Sequence, residues 1–105
     1  MIAEYIRYTM PPAKASELEP AYGRAGEWLK KSPHCLGYEL ARCTEDATQF
    51  ILRINWDSHE GHLKGFRGSE EFKGFYREIA EFIPFIQEMR HYDLTDIRNG
   101  EALTQ

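Results

Sequence analysis

Four histidines are the side chains in this sequence that are best suited to acid–base or metal chemistry near neutral pH. His59 and His62 are three residues apart, so they share one face if their segment is helical. A zinc site needs a third protein ligand, and the remaining candidates, His34 and the two cysteines, do not stand at the spacing of a zinc motif. We therefore predict no metal site, and the simplest interpretation of the pair is the solvated start of a helix.

Aromatic side chains make up 13% of the chain and cluster between Trp56 and Phe82. One interpretation is a bulky core and a dimer interface. The other is a flat, apolar pocket with a few polar groups, which is the usual construction of a small-molecule site. For such a pocket we predict two sets of residues from the flanking elements. The catalytic candidates are Asn55, His62, Tyr76 and His91, and the substrate-binding candidates are Tyr5, Arg7, Trp56, Phe66 and Phe72.

Composition and charge exclude several classes of protein. The chain has 13 Lys+Arg against 17 Asp+Glu, a net charge of −4, and no basic block, which argues against nucleic-acid and anionic-membrane binding. No apolar run approaches the roughly 20 residues of a membrane span. Two cysteines are too few for a disulfide scaffold. The first residues lack the layout of a signal peptide, so we expect a cytoplasmic protein.

The hydrophobic pattern predicts a single α+β domain over residues 1–95, followed by a polar tail over residues 96–105. The element order is β-α-β-β-α-β, the ferredoxin-like arrangement with a four-stranded antiparallel sheet and helices on one face. Ser16 and Glu19 form a candidate capping box for the first helix, with Pro20 near its first turn. The predicted strands cover residues 2–10, 36–43, 49–56 and 86–94, and the predicted helical segments cover residues 16–31, 58–66 and 69–83.

The third strand, from Phe50 to Trp56, is apolar on both faces apart from Arg53 and Asn55. Such a strand is typical of a sheet that is covered on both sides. The two helices cover only one side, and a second copy of the chain packed sheet against sheet is the simplest cover for the other. A ligand could also occupy that space. We predict a homodimer.

The segment from Ile54 to Phe72 (INWDSHEGHLKGFRGSEEF) resembles the antibiotic biosynthesis monooxygenase (ABM) family of dimeric α+β barrels. It is similar to that family's strand-end tryptophan, capped helix and small-residue break before a second helix. The element order agrees over residues 1–95. The resemblance implies a homodimer with a ligand cavity between sheet and helices in each subunit.

The resemblance also implies an activity. Characterised relatives oxidise phenolic or quinol-type aromatics with O₂ and need no metal, flavin or haem, so we expect no cofactor. The substrate anion supplies the electron, and the protein supplies a dry pocket, a proton acceptor and donors to the developing oxyanion. Trp56 matches the family tryptophan. Gly65 and Phe66 stand where a polar residue, often histidine, is usual, and His62 is a possible substitute.

The same family resemblance raises two other functions. A non-catalytic dimeric module that binds a small aromatic or supports a partner enzyme is the alternative, because the usual polar residue is missing. Haem-degrading relatives use an asparagine on the first strand, a helix tryptophan and a histidine on the second helix. The matching positions here hold Tyr5, Phe66 and Tyr76, so haem degradation is disfavoured.

Overall fold

The computed structural model describes residues 1–98, and it confirms the predicted ferredoxin-like architecture. Four antiparallel strands form one sheet in the order β2-β3-β1-β4, and the helices pack on one face. Residues 99–105, most of the predicted tail, lie outside the described part of the chain. The strands are β1 (Ile2–Thr9), β2 (Cys35–Arg42), β3 (Gln49–Trp56) and β4 (Ile86–Asp93), and the two α-helices are α1 (Ala15–Lys30) and α2 (Glu70–Ile79).

The alternation of side chains along the central strands divides the sheet into two faces. Ile6 of β1 lies opposite Leu52 of β3, which in turn lies opposite Leu40 of β2. These side chains pack against α1 and α2 in the core, and the intervening residues of each strand point to the other side. We call the side away from the helices the outer face.

The first helix begins differently from the prediction. A 3₁₀ turn at Pro12–Lys14 leads directly into α1, and the N-cap position is Lys14, which makes no side-chain capping bond. Ser16 therefore lies inside the helix, and the predicted capping box does not start it. Proline at the beginning of the turn fixes a helical φ, so the chain is already wound before Ser16 is reached. Pro20 lies inside α1, beyond its first turn.

The second helical region is divided into three pieces. Ser58 accepts a hydrogen bond of 2.8 Å from the backbone N–H of Gly61 and so caps the turn that begins at His59, and Gly61–Phe66 then form a π-helical turn. Ser69 caps α2. The predicted helix to residue 83 ends earlier, because a 3₁₀ segment, Ala80–Phe85, follows Ile79 and its three-residue period still directs Phe82 into the core.

The two cysteines and the character of the helices are the remaining features of the fold that bear on function. Cys35 and Cys43 are both free thiols. Within residues 1–98, none of the helices combines the length and the apolar character that crossing a bilayer requires.

Candidate functional site

A cavity of about 230 Å³ lies between the sheet and the helices, and we call it the site cavity. Its wall is largely apolar and aromatic, and its polar groups come from Glu4, His62 and Arg67 together with the tyrosine hydroxyls. This volume is slightly below the ~300 Å³ at which pockets for drug-sized ligands begin, so the cavity suits a small ligand. The apolar wall is formed by Ile6, Ile54, Trp56, Phe66, Phe72 and Phe75, among others.

Aromatic rings contact one another along one wall of the site cavity. Phe66, which is almost fully buried, lies 5.0 Å from Trp56, 5.5 Å from Phe72 and 5.7 Å from Phe75, measured between ring centroids. The rings of Phe72 and Phe75 meet Phe66 edge to face, an arrangement that the aromatic quadrupole favours. The wall is therefore both apolar and held in place by its own packing.

A buried carboxylate marks the polar end of the site cavity. Glu4 of β1 is only 2% exposed, and its Oε1 accepts a hydrogen bond of 3.0 Å from the indole Nε1 of Trp56. The Nε2 atom of His62 lies 3.3 Å from the same oxygen. The imidazole of His62 is 3% exposed and stacks on the indole of Trp56, with an interplanar angle of 13°. Trp56 therefore positions both the carboxylate and the imidazole.

A second histidine extends this arrangement. The β1–β4 register places His91 directly opposite Glu4, and the Nε2 atom of His91 lies 2.8 Å from Nδ1 of His62. The ring of His59 meets the ring of His91 edge to face at 4.9 Å. Glu4, His62 and His91 thus form one connected series, which we call the Glu4–His62–His91 chain.

Burial controls the charge of this chain. It raises the pKa of the Glu4 carboxyl, against the opposing effects of the Trp56 hydrogen bond and the charge of Arg67. Burial, and then electrostatic interactions with His91, Arg67 and His59, lower the pKa of His62 to about 3. His62 is therefore a neutral imidazole at neutral pH. The pKa of His91 is also lowered, chiefly by burial.

One pattern of protons satisfies all of these contacts. A neutral imidazole has one donor and one acceptor nitrogen. If the Glu4 carboxyl takes up a proton, it can donate to Nε2 of His62, and the N–H at Nδ1 of His62 then donates to Nε2 of His91. Proton transfer along this series would connect the site cavity, which Glu4 and His62 line, with the partly exposed ring of His91. The arrangement can accept a proton from a ligand and pass it outwards.

A pair of tyrosines also lines the site cavity. The hydroxyl groups of Tyr8 and Tyr22 lie 2.5 Å apart and form a buried hydrogen bond between β1 and α1. Burial raises the pKa of Tyr8 to about 12 and that of Tyr22 well above its ordinary value. Both are neutral hydroxyls near neutral pH, so they can act as hydrogen-bond donors or acceptors.

The structure brings together six of the residues that the sequence singled out. Trp56, His62, Phe66, Phe72 and Tyr76 line the site cavity, and His91 contacts His62 beside it.

The other three predicted residues, Tyr5, Arg7 and Asn55, lie on the outer face of the sheet. Tyr5 and Arg7 line a separate groove there. Asn55 is fully buried, and its Oδ1 accepts a hydrogen bond of 3.2 Å from Arg53. Strand alternation separates these residues from their neighbours Glu4, Ile6 and Trp56, which line the site cavity.

Sequence reasoning missed Glu4 and Arg67. A single acidic residue in line with Ile6 and Tyr8, on the apolar face of a strand, was the available signal for Glu4. Arg67 follows directly after the π-helical turn, and its charge acts on Glu4, His62 and His91.

The possible metal ligands are grouped differently from the set that the sequence offered. His34 lies apart, with its Nδ1 2.9 Å from Oδ2 of Asp57. Among the described residues, Glu4, His62 and His91 each present one ligand atom, and these three atoms lie within 4.8 Å of one another.

Comparison with known proteins identifies similar chains. The family model for antibiotic biosynthesis monooxygenase (ABM) matches residues 1–78. The uncharacterised protein YczJ of Bacillus subtilis (strain 168) is 23% identical over 92 residues, which cover 88% of this chain and 97% of that protein.

Two solved structures share the fold. A candidate antibiotic biosynthesis monooxygenase from Bordetella bronchiseptica has a TM-score of 0.75 and 21% identity, over 90% of this chain and 96% of that one. SnoaB, a cofactor-independent oxygenase from Streptomyces nogalater, has a TM-score of 0.70 and 15% identity, over 93% and 94% of the two chains. At such identities the structural likeness concerns the fold alone.

Proposed function

Because the chain belongs to the antibiotic biosynthesis monooxygenase family, we propose that it is a cofactor-independent monooxygenase that oxidises a small phenolic or quinol-type aromatic with O₂ in the site cavity. The observation that carries the proposal is the buried Glu4–His62–His91 chain at the polar end of an aromatic-lined cavity. An apolar cavity of about 230 Å³ accommodates a flat ring, and the proton acceptor stands at its polar end.

The first step that this arrangement supports is removal of the phenolic proton. Glu4 is the general base in this proposal, and His62 and His91 pass the proton outwards. Trp56 positions Glu4 through its indole N–H, and Arg67 supplies a positive charge near the anion that forms. A phenolate is a much better electron donor than the neutral phenol, so deprotonation makes the ring reactive towards O₂.

The oxygenation then proceeds without an added reductant. The phenolate transfers one electron to O₂, and the resulting superoxide and ring radical combine to form a carbon–oxygen bond. The peroxide loses water, as its oxygen–oxygen bond and a ring carbon–hydrogen bond break. One oxygen atom remains on the ring as a quinone carbonyl, and the other leaves in the water, so the substrate supplies all of the electrons. The buried Tyr8 and Tyr22 hydroxyls are candidate donors to the developing oxyanion.

A homodimer belongs to the same proposal. The outer face of the sheet carries Ile51 and Tyr92, which are 42% and 49% exposed, beside a groove of about 440 Å³. The ring of Tyr5 packs edge to face on Tyr92 within this groove. Burying this partly apolar surface against a second copy would cover the side of the sheet that the helices leave open.

The activity is tested by incubating chelator-treated protein with a panel of single-ring phenols and hydroquinones. We expect enzyme-dependent O₂ consumption with at least one of them, and one atom of isotopically labelled O₂ in the quinone product. Ligands are first selected by thermal shift, since saturation at 100 times Kd should stabilise the fold by ~2.7 kcal/mol. The proposal is wrong if a ligand binds and no oxygen is consumed.

That negative result would favour a second function, a dimeric module that binds a small aromatic without turnover. The observation behind it is that Phe66 is packed among the other aromatic rings where relatives usually have a polar residue. The two functions share the cavity and differ only in whether the bound ring reacts.

A further inference from the structure

Glu4, His62 and His91 have the chemistry of a metal site as well as that of a proton chain. Two imidazole nitrogens and one carboxylate oxygen are a common ligand set for zinc and for other divalent first-row transition metals. The three residues come from two strands and the π-helical turn, at positions 4, 62 and 91, so no sequence motif could show them.

The distances between the ligand atoms lie on either side of those that one ion requires. Metal–ligand bonds of roughly 2.0–2.2 Å place neighbouring ligand atoms roughly 3–3.5 Å apart. Here Nε2 of His91 lies 2.8 Å from Nδ1 of His62 and 3.9 Å from Oε2 of Glu4, and the three ligand atoms all lie within 4.8 Å of one another. Small rotations of the His91 side chain would adjust these values, because its ring is partly exposed and is not stacked against Trp56 as the ring of His62 is.

The surroundings hold two of the ligands in place before any ion arrives. The hydrogen bond from Trp56 occupies Oε1 of Glu4, which leaves Oε2 as the oxygen nearer to His91. Stacking on the same indole fixes the plane of His62. Such surrounding contacts orient metal ligands and increase their affinity. Arg67 is the opposing charge, and it limits the affinity without removing a ligand.

We propose that Glu4, His62 and His91 bind one divalent first-row transition-metal ion per chain, with Zn²⁺ as the representative ion. The ion replaces the proton that His62 and His91 share. Glu4 and His62 line the site cavity, so the bound ion adjoins the space that a small ligand would occupy. Metal binding does not rest on the proposed oxygenation, since it requires no substrate and no O₂.

The test uses the full chain without an affinity tag, after treatment with a chelator. Zn²⁺ is titrated by calorimetry, and Co²⁺ is followed by its visible absorption, which reports nitrogen and oxygen ligands directly. We expect one ion per chain with a Kd in the micromolar range or tighter. H91A and E4Q should each weaken binding at least tenfold, and circular dichroism will confirm that both variants are folded.

The control variant is H34A, which removes the histidine that pairs with Asp57 away from the cluster. It should bind Zn²⁺ as the native chain does. The proposal is overturned if the native chain binds no ion, or if H91A and E4Q retain native affinity. It is also overturned if H34A loses Zn²⁺ binding as H91A and E4Q are expected to. A chain that binds Zn²⁺ but, in its chelator-treated form, binds a phenol and consumes no O₂ would refute the proposed oxygenation alone.

Discussion

The indole N–H of Trp56 donates a hydrogen bond of 3.0 Å to the Glu4 carboxylate, and the two residues are 52 positions apart in the sequence. The β1–β3 register makes this contact possible, since Ile2 lies opposite Trp56 and Glu4 lies one step along the same face. A carboxylate that is 2% exposed needs such a donor, because an unsatisfied buried charge is costly. The same indole also supports His62, so this one contact links the stability of the sheet to the construction of the site.

We expect W56F to destabilise the protein. The change removes a buried hydrogen bond to Glu4 and leaves a void beside His62, so the free energy of unfolding should fall by about 2–4 kcal/mol. Urea unfolding followed by circular dichroism measures this loss. W28F is the matched control, since Trp28 is half-buried and its ring lies under Lys31 at the surface. Equal losses in the two variants would contradict the special role of Trp56.

We expect E4Q to separate catalysis from folding. The side-chain amide can still accept the hydrogen bond from Trp56 through its oxygen, but it is not a base. General acid–base catalysis contributes typically 10²–10⁴-fold, so kcat should fall at least ~100-fold while KM changes little. Steady-state O₂ consumption is the measurement. E88Q changes a carboxylate on the outer face and should retain native kcat. A native rate in E4Q would exclude Glu4 as the base.

The fold could be predicted because its signals are local. Alternation along each strand and the small-residue break before α2 divide the chain into the elements that the structure contains. The start of α1 could not be predicted correctly, since Ser16 and Glu19 match a capping box while the 3₁₀ turn at Pro12–Lys14 had already begun the winding. The capping-box pattern and the proline turn predict different starts for α1, and the structure follows the proline turn.

The site was harder to predict, because it depends on which face of each strand meets the helices. Alternation places Glu4 and Tyr5 on opposite faces, but it does not say which face is covered. Both Tyr5 and Asn55 lie on the outer face, next to residues that line the site cavity. The contact between Glu4 and His91 also requires the strand order, since β4 is paired with β1.

Raising the pH above 10 should destabilise the protein through the buried tyrosine pair. Burial raises the pKa of Tyr8 to about 12, so the folded chain holds a proton that the unfolded chain loses near pH 10. The stabilisation is complete below pH 10 and is lost as the pH rises towards 12. Urea unfolding at pH 10 and pH 12 should show a smaller loss in the Y8F/Y22F double variant than in the native chain. Equal losses would contradict this assignment.

Two glycine substitutions should have opposite effects on stability. A Cβ atom on Gly74 of α2 would collide with the indole of Trp28 on α1, so G74A should destabilise the packing of the helices by about 1–3 kcal/mol. A Cβ atom on Gly23 meets nothing within 4 Å, so G23A should stabilise α1 by about 0.5–1 kcal/mol through helix propensity. Urea unfolding compares the two variants. A G74A variant with the native free energy of unfolding would show that the two helices can move apart without loss of stability.

The proposed dimer predicts that a charge on the outer face will produce monomers. Ile51 lies beside Arg7 in the β1–β3 register, so I51K would bury a second positive charge at the centre of the interface. We expect the native chain to sediment as a dimer at micromolar concentration and I51K to sediment as a monomer with unchanged circular dichroism. I97K, at a residue that is 90% exposed, is the control and should remain dimeric. A native monomer would refute the dimer, and a dimeric I51K would place its interface elsewhere.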